Sequence, residues 1–269
     1  MRRSILRYLL LAFVTTNCLG QQLSSDDKAL IESARARYYN LEAAGFQSLT
    51  CSVKFDFSTV PLLPAAEDDP TRMLIEATKF TLTLDSRALP SVEHHYPDGS
   101  SAEAQERAAQ VTNLLTSLVT GLFQTWPTKG LQGPIPPFDK EIQSIVRTET
   151  GYIVNLRVPG SPVQVYMDKS FLVNRITSIG GKIDERPTYV SKPEGLVFAA
   201  NEVIDDSQPS GPVTIKYDLD ASVVDGLRVP SSVRLKVNSN IDVKYDLSEC
   251  HVKKGVVVRV GPPPESKNP

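Results

Sequence analysis

Beyond its first twenty residues the chain lacks any long apolar run. No later stretch reaches 18 uncharged apolar residues, so no later helix suits a bilayer span. It also lacks a basic block, and nucleic acid is not an expected partner. Histidine is scarce. The one pair, His94-His95, is adjacent, and neighbours on a strand point to opposite faces, which is wrong for chelating one metal ion. No Cys/His cluster supplies a tetrahedral site, so no metal ligands are nominated. There is no Gly-x-Ser-x-Gly elbow, and Gly180-Gly181-Lys182 lacks the spacing of a phosphate loop. Glu67-Asp68-Asp69 and Asp205-Asp206 lie beside prolines and lack the spacing of a calcium loop; solvated loops account for them. The expectation is a non-enzyme with no cofactor and no catalytic residue.

Cysteine is sparse too, at three. Cys18 belongs to the first twenty residues, which read as a signal peptide. Arg2, Arg3 and Arg7 make a basic start, Tyr8 to Val14 is a seven-residue apolar run, and Cys18-Leu19-Gly20 offers small residues for cleavage before Gln21. The rival reading makes Cys18 the acylated residue of a lipobox, although Asn17 fits that motif poorly. Export to a periplasmic or extracellular space is expected, or anchoring through Cys18. Removal of residues 1–20 takes three arginines and no acid, so 29 basic residues become 26 against 31 acidic, a net −5. The remaining cysteines, Cys51 and Cys250, are disulfide candidates in an exported protein; two free, buried thiols are the alternative.

What the chain has in quantity is alternation. Val213, Ile215, Tyr217 and Leu219 alternate with Thr214, Lys216 and Asp218; Val233 to Val237 and Ile241 to Leu247 repeat the pattern. A period of two with one apolar and one charged face marks antiparallel strands covering something on one side. Leu49, Cys51, Val53, Phe55 and Phe57 share one face of an earlier strand, and Phe80, Leu82 and Leu84 one face of the next. A short strand near Val92 ends at the turn Pro97-Asp98-Gly99. Further strands are expected at Ile142, Tyr152–Val158, Val163–Met167, Phe171–Ile179, Leu196–Ile204 and Val256–Val260. By parity Cys250 faces away from Val243 and Tyr245, so a bridge to Cys51 requires a bulge near Ser248-Glu249.

Two helices are expected. The first runs from Asp26 to Ala43, with Leu30, Ala34, Tyr38 and Leu41 at helical spacing. The second opens on a capping box, Ser100 with Glu103. It carries Ala104, Ala108, Val111, Leu115, Leu118 and Leu122 on one stripe, and it has no charge from Val111 to Trp126, as suits a helix cradled by a sheet. A loop rich in proline and glycine, Pro127–Phe138, follows; it reads as a flap or a linker. The fold class is α+β: a strongly curved antiparallel sheet, an incomplete barrel, with helices covering its concave face. Residues 21–260 form one domain and 261–269 a disordered proline-rich tail.

Four features resemble the LolA/LolB-like lipoprotein-carrier superfamily of exported bacterial proteins. They are Tyr38-Tyr39 near a helix end before the strand Leu49–Phe57; the hairpin Val163–Ile176 around Asp168-Lys169; Val213–Leu219; and Gly226-Leu-Arg-Val-Pro230 before Ser-Ser-Val-Arg-Leu. The resemblance implies an unclosed barrel lidded by helices, with a hydrophobic cavity able to hold acyl chains. The candidate cavity wall is Phe55, Phe57, Phe80, Leu82, Leu118 and Leu122, with plain core as the alternative. Expected partners are a lipid or lipoprotein ligand and a membrane surface touched peripherally. An envelope interaction domain with a solid core is the competing reading.

Overall fold

The computed structural model describes residues 23–60, 62–86, 89–138, 141–157 and 161–255. The leader with Cys18, the run Val256–Val260 and the tail 261–269 lie outside the described residues. Among those described, no helix is long and apolar enough to cross a membrane.

Among the described residues twelve strands form one antiparallel sheet, which is not closed. In chain order the elements are α1 (Ser25–Arg35), β1 (Phe46–Phe55), α2 (Pro70–Ala77), β2 (Lys79–Asp85), β3 (Ser91–His95) and α3 (Ala102–Thr125). There follow β4 (Ile142–Arg147), β5 (Gly151–Leu156), β6 (Val163–Asp168), β7 (Val173–Ser178), β8 (Ile183–Lys192) and β9 (Gly195–Asp205). The last three are β10 (Val213–Val224), β11 (Leu227–Val237) and β12 (Ile241–Lys254). The spatial order is β3-β2-β1-β12-β11-β10-β9-β8-β7-β6-β5-β4. Among the described strands the first in sequence therefore pairs with the last, and the edges, β3 and β4, are consecutive in the chain and joined through α3.

The alternating runs seen in the sequence set the register. Tyr217 lies opposite Leu235, Leu235 opposite Val243, and Val53 opposite both Leu247 and Phe80. These inward side chains share one core with Val111, Leu115, Val119, Leu122 and Phe123 of α3 and Ile75 of α2. A second core joins Ile31 and Ala34 of α1 to Val154, Val165, Met167 and Val173. On the far face of the sheet, charged residues pair across strands, as in Lys216–Glu202 and Arg234–Asp242.

Three local expectations are corrected. Helix α1 stops at Arg35, not Ala43, because Arg37 to Tyr39 leaves the helix to bond β9: Leu196 N donates to Arg37 O, and Tyr39 N to Leu196 O. Gly195 is needed there, since its φ is 129° and a Cβ would come within 3.0 Å of this backbone. Helix α3 is capped by Ser101, whose hydroxyl accepts from Ala104 N. Ser100 is instead held by Pro97 O, and Glu103 pairs with Arg107. The uncharged face of α3, with Asn113, Ser117 and Gln124, is exposed rather than cradled; amides and hydroxyls are solvated well enough without charge. Helix α2 is an element absent from the expected set; it is started by an Asp69 carboxylate that accepts from Thr71 N and Arg72 N, with Pro70 in the first turn.

Strand β8 is likewise absent from the expected set, because Pro187 and the run Asp184-Glu185-Arg186 hide its alternation. Proline is tolerated because β7 pairs with β8 only through Ile183–Glu185. Pro187 lies beyond that pairing, so its missing N–H is not needed.

Tyr38 fastens α1 to the sheet. Its hydroxyl donates to Phe171 O and accepts from Val173 N, both at 2.7 Å. Burial pushes the phenol up to about 12, so it stays neutral and keeps both roles. Tyr38→Phe is expected to lose about 1–3 kcal/mol, because a buried carbonyl and amide lose their partner. Urea unfolding should show a lower midpoint at unchanged slope. A loss below about 0.5 kcal/mol, the level of ordinary surface changes, would show that the hydroxyl anchors nothing.

Candidate functional site

The loop after α3 is built by close packing around Trp126. Both Lys129 N and Gly130 N donate to Trp126 O, folding the chain back on the indole. Gly130 is required, because a Cβ there would lie 2.2 Å from Trp126 Nε1. Beyond it, Leu131 enters the core shared with α3, and Ile135 enters the one shared with α1. Asn40 Nδ2 donates to Gln132 O, and Glu42 N to Leu131 O. The segment is thus stitched to both cores; it is a fixed roof, not a free flap.

This packing turns Lys129 inward. Its side chain is 4% exposed, and its ammonium lies 2.8 Å from Glu185 Oε2, on β8. Asn201 Nδ2 donates to the same oxygen at 3.0 Å and to Tyr217 Oη at 3.0 Å. Among the described residues Asn201 Oδ1 and the Tyr189 hydroxyl are buried with no hydrogen-bond partner. Burial, and then the neighbouring Tyr38, Tyr217 and Glu185, hold the Tyr189 phenol well above its ordinary value. A polar group this deep survives only when its charges are paired and bonded.

Above the ion pair is a cleft of about 280 Å³, between the loop and β5–β8. Pro134 and Pro136 form its roof, and Leu156, Val163, Val165 and Ile176 its wall. Lys129, Glu185 and Glu141, with Thr128 and Gln132, supply its polar lining. Aliphatic walls with a few converging polar groups are the usual build of a small-molecule site, and the volume lies at the lower edge of the ~300–1,000 Å³ range.

The residues nominated from the sequence lie elsewhere. Phe55 and Phe80 pack edge to face with centroids 4.9 Å apart, and Phe55 also meets Tyr245 at 5.5 Å. Phe55, Phe57 and Phe80 border an open notch of about 540 Å³, whose rim carries Lys54, Lys79, Glu76 and Glu249. Leu82 and Leu122 are buried and Leu118 partly buried in the core around α3, where strand and helix side chains interdigitate. These six are core and notch rim, not one wall. Cys51 and Cys250 form a disulfide with Cα atoms 4.2 Å apart. It joins β1 and β12, neighbouring strands within the sheet, and so does not tie its outer edges. The register jumps from Thr50–His251 to Ser52–Ser248, leaving Glu249 and Cys250 opposite Cys51, and Glu249 has φ 52°. That bulge turns Cys250 toward its partner.

His94, on edge strand β3, packs tilted against Phe80 and edge to face with Tyr96, and burial, with a smaller effect of His95, lowers its pKa. His95 is exposed beside Glu93. Among the described residues no group of three or more His, Cys, Asp or Glu gathers to hold a metal ion. Asp69 and Asp205 cap local backbone instead. Lys129, Glu185 and Asn201 are not among the residues nominated from the sequence. The available signal was a lone lysine in an otherwise uncharged stretch and an acid at an inward parity of β8. Comparison with protein-family models, curated proteins and solved structures finds no match to this chain.

Proposed function

We propose that the protein is a non-catalytic carrier or chaperone for a hydrophobic ligand, acting in the cell envelope. The observation that carries this reading is the roofed cleft: four aliphatic side chains of β5–β7 meet two prolines of a fixed loop. The basic start and apolar run of residues 1–20 support export, and the likeness of the hairpin Val163–Ile176 to lipoprotein carriers supports an apolar cargo. In this reading the open sheet is curved, and α1 and α3 each lay one side on its concave face. The cleft is the part of that interior the helices leave unfilled.

The test is native mass spectrometry of the protein purified from its own envelope, together with titration by an environment-sensitive fluorescent lipid. A bound lipid mass and a gain of fluorescence are expected, and Ile176→Trp, which fills the cleft, should weaken probe binding about tenfold, the equivalent of 1.4 kcal/mol. Protein free of lipid, with no response to the probe, would sink the proposal. A second reading, an envelope interaction domain with a solid core, is favoured by the tight packing of Phe55, Phe80, Leu82 and Leu122. Under it, the open edges β3 and β4 would take the partner strand.

A further inference from the structure

We propose that the roofed cleft selects amphiphiles whose polar end is a cation or hydrogen-bond donor, recognised by Glu185; this rests on the binding reading above. What decides the selection is which partner of the ion pair a ligand can reach. Lys129 reaches in from the roof loop, its side chain is only 4% exposed, and its ammonium lies against Glu185 at 2.8 Å. Glu185 keeps 21% of its side chain exposed, although Oε2 already accepts from Asn201. A molecule entering the cleft therefore meets carboxylate before ammonium.

Carboxylates accept hydrogen bonds and attract cations; they cannot donate. An incoming fatty carboxylate would face like charge, and it could reach Lys129 only by breaking the buried pair, which is costly. An ammonium or hydroxyl end would instead give Glu185 a further bond and leave Lys129 and Asn201 in place. The apolar body would lie along Leu156, Val163, Val165 and Ile176. The 280 Å³ volume equals about nine liquid-water volumes at ~30 Å³ each, which suits a medium-length chain rather than a two-chain lipid. The cargo class is thus a single-chain amphiphile with a cationic or donor head.

Calorimetric titration of the full protein with decylammonium, decanol and decanoate, each below its aggregation threshold, tests this. Decylammonium should bind about tenfold more tightly than decanoate, with decanol between them, as one partly screened charge contact would give. The Lys129→Met/Glu185→Leu variant keeps the cleft apolar and leaves no unpaired charge; in it the gap should close. Decanoate binding as tightly as decylammonium in the unaltered protein would overturn the inference while leaving a hydrophobic site standing. So would a preference that survives in the double variant, since the protein's overall negative charge would then explain it. Failure of all three to bind would remove this inference and the carrier reading together.

Discussion

Glu185→Leu is expected to destabilise the protein by about 3–5 kcal/mol, the usual cost of stripping one partner from a buried ion pair. The stranded group is the Lys129 ammonium, 4% exposed and enclosed by the packed loop around Trp126. Asn201 would lose its acceptor at the same time. Lys129→Met should cost less, toward the lower end, because Glu185 retains Asn201 and some contact with water. The double variant Lys129→Met/Glu185→Leu should recover most of the loss, since an apolar pair of similar volume is often neutral. Denaturant midpoints for the three variants form a double-mutant cycle. Losses that simply add would show that the two side chains are not coupled and that the pair does not hold the loop.

Loss of the disulfide should rank beside this, at about 2–5 kcal/mol. The bridge closes a loop across 199 residues of sequence separation, for which the simple chain-entropy treatment gives about 5 kcal/mol. The realised effect should be smaller, because residual structure in the unfolded chain already limits its freedom. Two comparisons separate entropy from packing. Reduced protein with both cysteines intact keeps the core volume around Cys51, whereas Cys51→Ala/Cys250→Ala also trims it. The reduced form should lose most of the stability, with the alanine variant somewhat lower. Two reactive thiols per chain in unfolded, unreduced protein would mean that the bridge is not formed, and equal midpoints before and after reduction would mean that it contributes nothing.

Strands with one clean apolar face were legible in the sequence. Phe46–Phe55 and Val213–Val237 alternate because one side meets core and the other water, so period reports burial directly. Even the bulge opposite Cys51 could be reasoned from parity. Strand β8 was hidden because its inward positions include Glu185 and Pro187, residues that break an apolar pattern while obeying its geometry. Helix α2 offered the signal Asp69-Pro70, a cap followed by a first-turn proline, within a segment too short to show a stripe. The candidate site was the least legible part. Lys129, Glu185 and Asn201 are joined only by tertiary folding, and a lone lysine in a proline-rich loop has no period. The apolar residues nominated as a cavity wall illustrate the converse: a hydrophobic face in sequence does not distinguish filled space from empty space.

The strand order also constrains how the chain is made. β1 pairs with β2 on one side, a partner synthesised soon after it, but its other neighbour is β12, the last of the twelve. During synthesis, and during any passage that delivers the chain from its N-terminus, one long side of β1 waits for residues 241–254. Contacts of such sequence separation form slowly, and an unpaired strand edge meanwhile is open to pairing with another chain. Assembly therefore ends where it began. A truncation before Ile241 removes the β12 partner of β1, so nascent fragments of this protein are expected to need protection until residues 241–254 arrive.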